Sequence, residues 1–72
     1  MSDLSPDALD WIARFAEAIG LEAPTNERVE QLLVLAGVAA HASHRQAAPV
    51  SCFLAALAGM DPARATEIAR TV

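Results

Sequence analysis

Apolar residues recur at intervals of three and four along most of the chain, which is the spacing of one face of an α-helix. No stretch alternates apolar and polar residues with a period of two, so the sequence predicts no β-strand. Proline and glycine interrupt the pattern at three places, in residues 20–24, 45–49 and 59–62. The sequence therefore predicts an all-α fold, a compact bundle of four helices with a short last helix, in a single domain over residues 1–72.

The first helix is predicted over residues 6–19. Ser5 is expected to cap it, Pro6 suits the first helical position, and Gly20 is a stop signal. The positions expected to face the interior are Ala8, Trp11, Ile12, Phe15, Ala18 and Ile19.

The second helix is predicted from residue 26 to about residue 44, with Thr25 or Asn26 as its cap. It is apolar nearly all round, which is typical of a central helix. Gly37 lies in its middle and is expected to allow a close crossing with a neighbouring helix. One stripe of this helix consists of Val29, Leu32, Leu33, Ala36 and Ala40.

The third helix is predicted to begin at Pro49 and to end at Gly59, and Asp61 followed by Pro62 signals the start of a short fourth helix. The stripe expected to be buried on the third helix consists of Val50, Phe53, Leu54 and Leu57. The stripe of the fourth consists of Ala65, Ile68, Ala69 and Val72.

Composition excludes several classes of protein. The chain has 17 alanines, 54% apolar residues, no lysine and a net charge of −4. High hydrophobicity argues against intrinsic disorder. The acidic balance argues against nucleic-acid binding, including by a helix-turn-helix. Because Cys52 is the single cysteine, no disulfide forms within the chain.

The location is predicted from two further features. The longest strongly apolar stretch, residues 32–40, is far shorter than the about 20 residues that a membrane span needs. The first seven residues carry acids where a signal peptide has basic residues. We therefore expect a cytoplasmic protein that does not contact the membrane.

The apolar excess is too large for so small an interior, because a domain of this size buries only about 60% of the surface of its unfolded chain. A partner protein or a second copy would cover what remains. The helix positions proposed to face that partner are Leu9, Ala13, Ala16 and Met60.

Three cationic residues, His41, His44 and Arg45, are spaced to cluster at the end of the second helix. Their simplest role is to complement the negative end of the helix dipole. An alternative is an anion site for a phosphorylated small molecule, formed by His41, Arg45 and Ser51 with free N–H groups where the third helix begins. A third hypothesis is a metal site formed by His41, His44 and Cys52, which lacks the fourth ligand that zinc usually takes.

No set of residues suited to catalysis stands out. A nucleophilic Cys52 would need a base and an orienting third group, and only His44 is a candidate base. The carboxylates decorate helix starts, and the three glycines form no phosphate-binding loop. The sequence therefore predicts a non-enzymatic interaction module without a cofactor or a bound metal.

Two segments, residues 35–41 and residues 45–54, together with Trp11, resemble a small all-helical bacterial domain of unknown function. That pattern has a Val-Ala-His-like step, then an arginine, Ala-Ala-Pro, an aliphatic residue, serine or threonine, and Phe-Leu. Such domains occur alone or fused to the C-terminus of a molybdenum cofactor guanylyltransferase. The resemblance implies that the domain binds that nucleotidyltransferase, its pterin substrate, or a sulfurated or metallated recipient protein. The positions to which a binding role would be carried over are His41, Arg45 and Ser51.

Overall fold

The computed structural model describes residues 4–72 and contains four α-helices, with no strand in that range. They are α1 (Pro6–Ala18), α2 (Asn26–Ala42), α3 (Ala47–Leu57) and α4 (Pro62–Ala69). This confirms the predicted all-α class, the number of helices and the short last helix, which has 8 residues. The predicted acidic start includes Met1–Asp3, which lie outside the described residues.

The chain divides into two compact units, residues 1–30 and residues 31–72, with the boundary inside α2. The first unit holds α1, the following loop and the first turn of α2. The second unit holds the rest of α2 with α3 and α4. The single domain over residues 1–72 stays a prediction.

The two ends of α1 are formed by the residues that the sequence indicates. Ser5 Oγ accepts a hydrogen bond from the Ala8 N–H at 3.3 Å. At the other end Gly20 adopts a φ of +83°, and the Leu21 N–H donates to the Ala16 carbonyl at 2.8 Å. This is a Schellman closure, in which glycine supplies the left-handed residue.

The buried edge of α1 differs from the prediction. Trp11 and Phe15 are 58% and 50% exposed, and Ile19 is also exposed. Ala16 is buried instead, and Ile12 is half-buried. The apolar face of α1 is broad, so the pattern indicates the face correctly but not which edge of it lies innermost.

Helix α2 begins as predicted, with Thr25 Oγ1 accepting a hydrogen bond from the Arg28 N–H at 3.1 Å. Its last residue is Ala42, two residues earlier than predicted. Leu35 is the one large side chain in residues 4–72 that is fully buried, with 2% of its surface exposed. Leu33, which was placed in the predicted stripe, is exposed. Because α2 is apolar nearly all round, its sequence does not distinguish these two leucines.

Helix α3 begins at Ala47 rather than Pro49. Proline is tolerated as the third helical residue because the first four N–H groups of a helix have no intrahelical acceptor. The inner side of α3 is made by small residues: Ala55 is buried, and Ser51 and Cys52 are half-buried. The predicted buried stripe is therefore wrong, because all four of its members are exposed. They are Val50, Phe53, Leu54 and Leu57.

Helix α4 packs against α3. Asp61 caps it, with Oδ1 accepting from the Ala63 N–H at 2.9 Å, as predicted. Pro62 and Thr66 are its buried residues, and the Thr66 hydroxyl donates to the Pro62 carbonyl at 2.8 Å. Of the predicted stripe, the two alanines are half-buried and Ile68 is exposed, whereas Val72 lies beyond the helix and is almost fully exposed.

Gly37 does not mark a close helix crossing. A Cβ atom built at this position has no heavy atom within 4 Å beyond the helix's own neighbouring backbone. The expectation of a crossing is wrong, and in this structure Gly37 only lowers the intrinsic helix propensity of α2.

We predict that Gly37→Ala raises the free energy of unfolding by about 1 kcal/mol, the difference between glycine and alanine in a helix interior. Gly20→Ala is the matched control. It is expected to lower that free energy by about 1 kcal/mol, because its backbone is left-handed. Urea titration followed by circular dichroism measures both changes. A destabilising Gly37→Ala would show that a neighbouring group approaches this glycine after all.

We also predict that Leu35→Ala lowers the free energy of unfolding by about 2–5 kcal/mol, because it leaves a cavity in the interior. Leu33→Ala removes the same atoms from an exposed position, so we expect a cost below about 1 kcal/mol. Thermal and urea unfolding compare the two variants. Equal costs would contradict the burial of α2 described here.

Candidate functional site

The three residues of the predicted anion site occupy different elements. His41 is exposed in the last turn of α2, Arg45 is exposed in the turn that follows, and Ser51 is half-buried in α3. The Ser43 N–H donates to the Ala39 carbonyl at 3.0 Å, after which the chain leaves the helical path. His44 and Arg45 thus lie beyond α2 rather than on its last turn, which corrects the predicted cluster on one helix.

The anion site would need free N–H groups at the start of α3, and the first two of these groups already have acceptors. The N–H groups of Ala47 and Ala48 donate to the carbonyls of His44 and Arg45 at 2.8 and 3.1 Å. The Ser51 hydroxyl donates to the Ala48 carbonyl at 2.9 Å. Because the helix begins two residues before Pro49, the N–H group of Ser51 lies four residues inside it, where intrahelical carbonyls are the normal acceptors.

Two surface grooves lie in the unit formed by residues 31–72, and the candidate residues do not share either of them. His41 lines one groove together with Gly37 and Arg70. Ser51 lines the other, and Arg45 lines neither. The anion site therefore stays a prediction, without a common groove to support it.

The metal hypothesis rested on His41, His44 and Cys52. Within residues 4–72, no three His, Cys, Asp or Glu side chains come together as a metal site would require. Cys52 is a free, half-buried thiol whose Sγ lies 3.7 Å from the Leu32 carbonyl oxygen, to which it donates a weak hydrogen bond. This contact joins α3 to α2, so a packing role accounts for Cys52.

An aromatic pair lies exposed on α1. The rings of Trp11 and Phe15 stack with their centroids 5.1 Å apart and an angle of 12° between their planes. Ile19 continues the same exposed line one turn further on. We refer to Trp11, Phe15 and Ile19 as the α1 face.

A second exposed apolar surface lies on α3, and we call its four residues Val50, Phe53, Leu54 and Leu57 the α3 face. Phe53 is 62% exposed and Leu57 is 71% exposed. No charged residue occurs between Arg45 and Asp61. Isolated exposed apolar residues are ordinary, whereas an uncharged apolar cluster of this kind is typical of interaction surfaces.

The groove that Ser51 lines has a volume of about 480 Å³ and runs between α2, α3 and α4. The buried residues Leu35 and Ala55 line it, and so does Leu54 of the α3 face. The lining is almost wholly apolar, so this groove continues the α3 face toward α4.

The partner-facing residues predicted from the sequence only partly reach the surface. Ala16 is buried, Leu9 and Met60 are half-buried, and Ala13 is exposed. The prediction placed Trp11, Phe15 and the large residues of α3 in the interior, so it assigned the partner surface to other positions. The sequence signal for the α3 face is the uncharged run of residues 46–60, of which the prediction placed the four large apolar residues in the interior.

The family comparison covers almost the whole chain. The model of a domain of unknown function, DUF6457, matches residues 4–72. The chain belongs to the DUF6457 family. No curated protein and no solved structure matches this DUF6457 chain at a significant level. In the part of the chain that the structure describes, no helix combines the length and the hydropathy that crossing a membrane would require.

We predict that the indole of Trp11, the single tryptophan, is open to solvent in the free chain. Its fluorescence should have the emission maximum of an exposed indole and be quenched readily by acrylamide. Phe15→Leu should increase quenching further, since it removes the stacked ring. A blue-shifted emission that resists quenching in a dilute sample would contradict the exposure of the α1 face.

Proposed function

We propose that this DUF6457 chain is a non-enzymatic helical interaction module that acts by covering its exposed apolar faces against another protein. The observation that carries the proposal is the placement of side chains. The buried side of α3 carries small residues, whereas Trp11 and Phe15 of α1 and the four large apolar residues of the α3 face lie on the surface. A surface of this kind gains free energy when it is removed from water.

The α1 face has the composition of an interaction hot spot. Tryptophan is among the residues that dominate binding energies, and fully burying a large apolar side chain is worth about 1.5–3 kcal/mol. The stacking of Trp11 on Phe15 holds both rings in place before a partner arrives, which reduces the entropy lost on binding.

The proposed partner is a molybdenum cofactor guanylyltransferase, in the cytoplasm. Support comes from the resemblance described above, in which a similar domain is found fused to that enzyme. If the two proteins meet as separate chains, the exposed α1 face is the surface best suited to the contact.

The geometry supports an interaction module better than it supports binding of a phosphorylated small molecule. The Ser51 hydroxyl is engaged with the Ala48 carbonyl, and the first N–H groups of α3 are engaged with the preceding turn. The ion pairs Asp10–Arg14 and Arg64–Glu67 are exposed and local, which is typical of a solvated surface.

We predict that the chain binds the purified guanylyltransferase of its source organism and that Trp11→Ala weakens binding by about 2 kcal/mol, or roughly 30-fold. Isothermal titration calorimetry measures the affinity. Leu33→Ala is the matched control, because it also removes an exposed apolar side chain but lies outside both faces.

Two results would contradict the proposal. Absence of binding at concentrations of about 100 μM would remove the guanylyltransferase as partner, since even weak specific pairs associate in that range. Turnover of a nucleotide or pterin substrate by the isolated chain would show that it is an enzyme.

A further inference from the structure

The acidic charge of the chain is concentrated in the unit that carries the α1 face. Residues 1–30 contain seven of the nine acidic residues and two of the five arginines, which gives this unit a net charge of −5. Residues 31–72 contain two acidic residues and three arginines, a net charge of +1. The negative charge of the protein therefore lies in the same unit as its aromatic surface.

Charged residues form a line along α1 beside the α1 face. They follow one another at intervals of three or four positions, which places them on one side of the helix, and all of them are exposed. They are Asp7, Asp10, Arg14 and Glu17. The charged line adjoins the α1 face at Trp11, because Asp7 and Arg14 each lie one helical turn away from it.

The one cation in the charged line is already neutralised. Arg14 approaches Asp10 with both Nη2 and Nε, each 3.0 Å from Oδ2. Within residues 4–72, the carboxylates of Asp7 and Glu17 make no ion pair and accept no hydrogen bond. Two negative charges on α1 are therefore available to a partner, whereas its one positive charge is engaged.

We propose that the partner of the α1 face is a basic amphipathic helix of another protein. The apolar side of that helix would cover Trp11, Phe15 and Ile19, and its lysine or arginine residues would meet the charged line. The three residues of the α1 face follow one another at intervals of four positions, so their apolar stripe runs along α1 for about 12 Å. The apolar stripe of a second helix is complementary to a stripe of this form.

Charge selects this occupant over three others. The phosphates of nucleic acid and the headgroups of anionic lipids would be repelled by a unit with a net charge of −5. A second copy would bring the same negative charge against itself. A basic helix is attracted instead, and opposite charges beside an apolar contact increase both the rate and the specificity of association.

The assignment rests on the proposed function, because it takes the α1 face as a surface that another protein covers. It adds the chemistry of the partner and does not depend on the guanylyltransferase. The probe is a synthetic peptide, so failure of peptide binding and failure of guanylyltransferase binding are separate results. Binding of the guanylyltransferase without binding of the basic peptide would keep the interaction module and overturn the basic helix.

The emission of Trp11, the single tryptophan, reports on the α1 face directly. The probe is a helical peptide of about 18 residues with leucine on one side and lysine on the other. Its matched control has glutamate in place of every lysine, and neither peptide contains tryptophan. We expect the lysine peptide to shift the emission to the blue with a dissociation constant below about 1 mM. The glutamate peptide should leave the emission unchanged.

Salt and two charge variants test whether the attraction is electrostatic. Raising NaCl from about 20 mM to about 500 mM should weaken binding of the lysine peptide at least threefold, because salt screens exposed charges. Asp7→Asn should weaken it about threefold at low salt. Glu67→Gln is the matched control, since it removes the same charge from α4 in the other unit and should change the affinity little.

A second pair of variants tests the apolar contact. Ile19→Ser removes an apolar side chain from the α1 face and should weaken the lysine peptide about fivefold. Leu33→Ser removes an exposed apolar side chain outside the face, so we expect no change. Circular dichroism checks that each variant is folded.

Several results would overturn the basic helix as partner. They are equal binding of the two peptides, no binding of the lysine peptide at about 1 mM, and an effect of Asp7→Asn no larger than that of Glu67→Gln. A blue shift caused instead by vesicles of phosphatidylserine and phosphatidylcholine would assign the α1 face to a membrane. A blue shift caused by concentrating the free chain would assign it to a second copy.

Discussion

The buried side chains of residues 31–72 are mostly small, which leaves the large apolar residues of α3 for the surface. Ala39 and Ala55 are buried, and Cys52 lies close enough to α2 for its thiol to donate to the Leu32 carbonyl. Small side chains allow helix backbones to approach closely, but each buries little apolar area. Leu35 is the one large side chain among residues 4–72 that is fully buried, so its burial makes a large contribution to the stability of the second unit.

This packing explains why the surface is so apolar. On α3 the small residues Ser51, Cys52 and Ala55 lie three and four positions apart, so they occupy one side of the helix. The remaining circumference is then left to the large apolar side chains. A domain that places its small residues inside and its large ones outside has a modest interior and a surface suited to association. The proposed function follows from this one arrangement.

The predicted helix boundaries agree with the structure where a capping side chain or a glycine marks the end of the helix. Ser5, Thr25 and Asp61 cap helices as expected, and Gly20 and Gly59 end them with left-handed backbone. The start of α3 was predicted two residues too late. Proline disfavours helical dihedrals at the residue before it, but in this structure Ala48 is helical. The end of α2 has no glycine or proline at the point where the helix stops, so the predicted helix extends to about residue 44, two residues too far.

The side of each helix that is buried was harder to predict. Hydrophobic periodicity distinguishes an apolar face from a polar one, but α2 and α3 have almost no polar face. In that case the pattern does not indicate which side of the helix is buried. The buried side depends on how two helices pack together, which neither sequence segment determines alone. The same limit applies to the site, because an apolar stripe of a small domain is equally typical of an interior and of an interface.

Solvent paramagnetic relaxation enhancement, measured by NMR at a concentration where the chain is monomeric, tests the central claim most directly. The probe is a soluble gadolinium chelate, and the readout is the broadening of side-chain methyl and aromatic signals. The account predicts strong broadening for Phe53 and Leu57 and protection of Leu35. Protection of Phe53 and Leu57 together with broadening of Leu35 would show that the large side chains form the interior, and it would contradict the account.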